Sequence, residues 1–84
     1  MTADEFRKEL RAMLDRARRQ GRPYVEINAG ELHRVIGGYP GAGTHRMPVC
    51  CEVMRQEMRS GDDVVFEPPG GKGASLTVRY SLSQ

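Results

Sequence analysis

Apolar positions near the start of the chain recur at helical spacing. Phe6, Leu10, Met13, Leu14 and Ala17 fall at steps of four, three, one and three residues. Those steps place all five on one stripe of a 3.6-residue period, which predicts a helix over 2–20. Thr2 followed three residues later by Glu5 forms a capping box, and Gly21 and Pro23 stop the helix. The pattern then changes to period two: Val25 and Ile27 share one face of a strand over 24–27, with Glu26 on the other. Asn28 caps a second helix over 29–36, with Glu31 at its third position and Leu32, Val35 and Ile36 as the apolar side.

The stretch 37–46 begins GGYPGAG, with four glycines and one proline in seven residues, and reads as a loop. Pro48 suits the first turn of a third helix over 47–59. On that helix Val49, Cys50, Val53, Met54 and Met58 fill an apolar arc, with Cys51 at its edge. Glu52, Arg55, Gln56 and Arg59 cluster opposite, and Glu57 projects toward the arc and is expected to reach outward near the helix end. The remainder, 63–82, is a hairpin with its Gly-rich turn at 68–73. In the second strand, read as 74–82, Ala74, Leu76, Val78, Tyr80 and Leu82 alternate with Ser75, Thr77, Arg79 and Ser81, which marks a sheet buried on one face.

This order predicts an α+β domain spanning 1–84, helix-strand-helix-helix-strand-strand, with a small three-stranded antiparallel sheet. It resembles the winged helix-turn-helix superfamily. In that family the short strand joins the hairpin, the third helix enters the DNA major groove, and the hairpin tip is the wing. The loop of about nine residues between helices two and three departs from the usual short turn. The string AGELHRVIGGYPGAGTHRMPVCCEVM, followed by GASLTVRYSL, is also similar to short uncharacterised bacterial and phage proteins of mobile or defence loci.

Length and composition narrow the chemistry. The 84 residues, 38 % apolar and 29 % charged, suffice for one lean core and leave little interior for a large catalytic cleft. No run of about 18 apolar residues exists, so no membrane helix is expected. The charged stretch 1–9 lacks the apolar core of a signal peptide. Cys50 and Cys51 are adjacent and unsuited to a stapling disulfide, so free thiols and a cytoplasmic setting are expected. Neighbouring helical cysteines also point about 100° apart, which does not make a zinc site with His33 and His45. No metal, cofactor or catalytic set is expected, and the chain reads as non-enzymatic.

Net charge is only +2, but 11 of the 13 basic residues are Arg, and residues 1–46 carry nine Lys/Arg against six Asp/Glu. Guanidinium groups pair bidentately with phosphate and guanine. The candidate DNA-contacting residues are Thr44, His45 and Arg46 at the start of the third helix, Glu52, Arg55, Gln56 and Arg59 on its polar face, and Lys72 at the wing tip. Arg7, Arg11 and Arg18 on the first helix read as a solvated face with local ion pairs. Lys72 does not belong to a phosphate-binding P-loop, because Gly73 follows it where Ser or Thr is required.

Two functions follow. The first is a DNA-binding regulator, acting on double-stranded DNA and possible as a homodimer. The second is a protein-binding module on the same scaffold, such as a phage-encoded inhibitor of a host defence complex, with Tyr39 and Cys51 as candidate contacts.

Overall fold

The computed structural model describes residues 2–37 and 46–82. Its elements are α1 (Ala3–Arg19), β1 (Tyr24–Asn28), α2 (Ala29–Gly37), α3 (Met47–Gln56), β2 (Asp63–Phe66) and β3 (Thr77–Ser81), with a short 3-10 turn at Pro69–Gly71. The capping box at the start of α1 is formed. The Thr2 side chain accepts from the Glu5 N–H at 3.2 Å, and the Glu5 carboxylate accepts from the Thr2 N–H at 2.7 Å. The helix closes with the Gly21 N–H on the Arg18 carbonyl (3.0 Å) and the Arg22 N–H on the Ala17 carbonyl (3.2 Å). Gly21 takes φ of 76°, the left-handed conformation that this closure requires.

The three strands form one antiparallel sheet in the order β1-β3-β2. Val25 faces Tyr80 and Ile27 faces Val78 across the first pair. Leu76, Val78, Tyr80 and Leu82 are all buried, so the alternation read in the sequence sets the inner face of the sheet. Phe6 and Leu10 of α1, Leu32 of α2, and Cys50, Val53 and Met54 of α3 complete the core. The Tyr80 hydroxyl donates to the Met54 carbonyl at 2.8 Å, giving its one buried polar atom a partner and tying sheet to helix.

Several boundaries and faces differ from the sequence expectation. β3 begins at Thr77 rather than 74, because 73–76 is a turn closed by the Leu76 N–H on the Gly73 carbonyl at 3.1 Å. The carbonyls of Leu76 and Ala74 instead accept from the Ala29 and Gly30 N–H groups at the start of α2, at 2.8 and 2.9 Å. A Cβ on Gly30 would stand 3.2 Å from the Ala74 carbonyl oxygen, so this close approach favours glycine. Asn28 caps α2 as its sequence implied, accepting from the Glu31 N–H at 3.2 Å.

The inner face of α2 is Ala29, Leu32 and His33, with Ile36 half-buried, while Val35 is 61 % exposed. That set follows the i, i+3, i+4, i+7 rule, and Val35 lies off it. α3 ends at Gln56, three residues before the predicted limit, so Met58 and Arg59 belong to the following turn. β2 carries a bulge at Val65, between the pairs Val64–Val78 and Phe66–Thr77. Among the described residues no helix is long and apolar enough to cross a membrane.

Candidate nucleic-acid interface

The buried face of α3 is Met47, Cys50, Cys51, Val53 and Met54. The opposite crest consists of Pro48, Glu52 and Gln56, all exposed. Two flanks separate crest from core, and each is fastened to another element. On one flank, the Gln56 side-chain carbonyl accepts from the Arg7 guanidinium at 2.8 Å. Glu57, whose side chain is only 14 % exposed, receives the Arg11 guanidinium at 2.8 Å and Arg7 at 3.3 Å. The hydrogen bond from Arg11 holds the Glu57 carboxyl below the usual glutamate value. Glu57 therefore stays near the apolar arc because two arginines of α1 meet it there. Arg7 and Arg11, four residues apart beside the apolar stripe of α1, were the sequence signal for that contact.

The other flank meets the turn between β2 and β3. Cys51 was expected at an edge open to partners. It is instead 0 % exposed, because the turn packs over it. Its thiol donates to the Gly73 carbonyl at 3.3 Å and accepts from the Gly73 N–H at 3.4 Å. The Cys50 thiol points elsewhere, to the Ala29 carbonyl at 3.6 Å. Burial pushes the Cys50 thiol up to about 12. Burial also raises Cys51, against a smaller opposing influence of the Gly73 N–H, Arg55 and Lys72. Both are free thiols held neutral at ordinary pH.

Arg55 was expected to face solvent. Its side chain is half-buried; it donates to the Gly71 carbonyl and lies 3.5 Å from the Glu67 carboxylate. The turn itself needs Gly70 and Gly71 at φ of 76° and 80°. Lys72, between the two clipped residues, is exposed beside α3.

At the start of α3, the Arg46 N–H donates to the Nε2 atom of His33 at 3.0 Å. This contact fixes Nε2 as an acceptor, so the proton of the neutral ring resides on Nδ1. His33 is fully buried, with its ring 5.3 Å from that of Phe6. It anchors the start of α3, and its place on the i, i+4 stripe with Ala29 was the signal for its burial. The Arg46 side chain is exposed, and α3 has no side-chain cap.

Arg46 thus stands at the start of α3, Glu52 and Gln56 on its crest, and Arg55 and Lys72 at the flank that meets the β2–β3 turn. Arg59 is not with them. It lies past the far end of this ten-residue helix, which is about 15 Å long at 1.5 Å per residue, and lines a cleft against α1. Thr44, His45 and Tyr39 lie outside the described residues. Compared with protein-family models, curated proteins and solved structures, the chain matches none.

Proposed function

We propose that the chain is a winged helix-turn-helix domain that binds double-stranded DNA, as a small transcriptional regulator or accessory protein of a phage, mobile or defence locus. In this reading α2 and α3 are the helix pair, α3 meets the major groove, and the β2–β3 turn is the wing. The observation that carries it is the clip between α3 and that turn. Cys51 holds Gly73 and Arg55 holds Gly71, so the exposed Lys72 stands beside the exposed crest of α3, with Arg46 at the helix start.

Arg46 and Lys72 supply phosphate contacts, joined by Thr44 and His45 on the sequence reading. Glu52 suits cytosine N4, and Gln56 suits adenine once its carbonyl is released from Arg7. Arg55 acts through the wing by positioning it, rather than by reading guanine. The two free thiols support a reducing, cytoplasmic setting. A duplex of about 20 base pairs, titrated at two salt concentrations, tests the reading: log K should fall linearly with log salt, with a slope of about −0.9 per phosphate contact. Salt-independent binding, or none, would refute it.

A second reading, a protein-binding module, is favoured by Val65 and Phe66. They are neighbours on the edge strand β2 and are 48 % and 54 % exposed. Under this reading a Phe66→Ser variant loses its protein partner, or its own dimer, while DNA affinity is nil from the outset.

A further inference from the structure

Four arginines crowd the end of α1 and its exit: Arg16, Arg18, Arg19 and Arg22. The closure at Ala17, Arg18 and Gly21 fixes their backbone positions. Arg16 has Glu9 at 3.7 Å, and Arg18 has Asp15 at 2.8 Å. Those cations also offset the partial negative charge at the helix C-terminus. Arg19 and Arg22 are exposed, with no carboxylate at ion-pair distance among the described residues.

The turn after α3 adds a third such group. Its backbone is pinned by the Asp62 carboxylate, which accepts from the Arg59 N–H at 2.8 Å and the Ser81 N–H at 2.7 Å. The exposed Arg59 side chain lines one side of a cleft of about 440 Å³, with Arg11, Arg18, Ser60 and Ser81 also in its walls. The carboxylates of that cleft already have partners: Asp15 with Arg18, Glu57 with Arg7 and Arg11, and Asp62 with the two backbone N–H groups. Among the described residues no carboxylate lies at ion-pair distance from Arg19, Arg22 or Arg59. Arg59 lines the cleft and acts on Glu57 only at longer range, while Arg19 and Arg22 lie outside the cleft lining, close in sequence to its wall at Arg18.

We propose that this corner, where the exit of α1 meets the 57–62 turn, is a second phosphate-binding surface for the backbone of double-stranded DNA. It takes its ligand class from the function proposed above, but uses none of the residues on the α3 crest or wing. Guanidinium groups at a rigid turn suit phosphodiester oxygens, and the contact carries no base information. Each DNA strand offers a phosphate every 3.4 Å along the axis, so one duplex extends over the roughly 15 Å that α3 spans.

The test uses the full chain and a random-sequence duplex of about 25 base pairs, with affinity measured from about 50 to 200 mM salt. The Arg19→Gln, Arg22→Gln, Arg59→Gln triple variant should bind more weakly at low salt, its slope shallower by about two to three. The corresponding triple lysine variant should keep most of the slope, which separates charge from packing. Arg22→Gln alone, with a slope loss of about one, serves if the triple variant does not fold. A folded triple variant with wild-type affinity and slope would overturn the proposal. An Arg46→Ala, Lys72→Ala variant measured in parallel distinguishes the two sites. If it alone weakens, the corner fails and the α3–wing reading stands. If only the corner variants weaken, the corner stands and the α3–wing reading fails. A wild-type chain that binds no duplex overturns both.

Discussion

Cys50 and Cys51 are neighbours in sequence, yet their thiols hold different parts of the molecule: Ala29 at the start of α2, and Gly73 in the turn. Both are completely buried, so neither should react with a thiol reagent in the native protein, and both should react on unfolding. Rapid native labelling of Cys51 would show that the turn does not stay closed. The raised Cys50 thiol has a consequence at high pH. A group whose folded value exceeds its unfolded one stabilises the fold below the unfolded value and loses that contribution as pH climbs through the folded one. For Cys50 that window runs from about 9 to about 12. The buried Tyr80 phenol, also shifted upward, acts in the same direction. Stability measured by urea unfolding should therefore decline above pH 9, and less steeply in Cys50→Ala. Glu57 acts at the acid end with the opposite sign. Its lowered value contributes stability above the ordinary 4.5 that is lost as pH falls through the folded value. Glu57→Gln should thus be less stable than wild type at neutral pH and converge with it in acid.

The elements divide into those that local pattern decides and those that contacts decide. α1, with its box at Thr2 and its closure at Gly21, was legible because each signal is local and agrees with the others. The inner face of β3 was legible because period two leaves only two choices. Leu76→Ala should accordingly cost about 2–5 kcal/mol, seen as a large fall in Tm; an unchanged Tm would contradict the register. The short reach of β3 was not legible, because the Ala74 and Leu76 carbonyls serve α2, an element some 45 residues earlier in sequence. The burial of Cys51 has a cause of the same kind, since the turn that covers it is distant in sequence. The same limit hid Arg55. On a helical wheel it is a polar-face residue, and only the folded turn shows what it holds. Arg55→Ala should cost about 1.5–3 kcal/mol, the range for a hydrogen bond from a charged group, and should speed amide exchange at Gly71 and Gly73. Arg55→Ala with normal stability and exchange would return Arg55 to the candidate base readers.

For the molecule as a whole, the question is which surface meets a partner. The sequence reading grouped eight candidates in one DNA interface. Of these, the structure leaves Arg46, Glu52, Gln56 and Lys72 exposed on or beside α3, separates Arg59 past its far end, and ties Arg55 to the β2–β3 turn. The crest of α3 carries Glu52 and no uncommitted cation, so among the described residues of the α3 face the phosphate contacts fall to the flanking Arg46 and Lys72, with base contacts adding selectivity. The most direct measurement is the salt dependence of duplex binding for wild type beside the Arg46→Ala, Lys72→Ala variant. The account predicts that the variant remains folded, binds every duplex more weakly, and has a slope shallower by about two. A folded variant with the wild-type slope and affinity would contradict it.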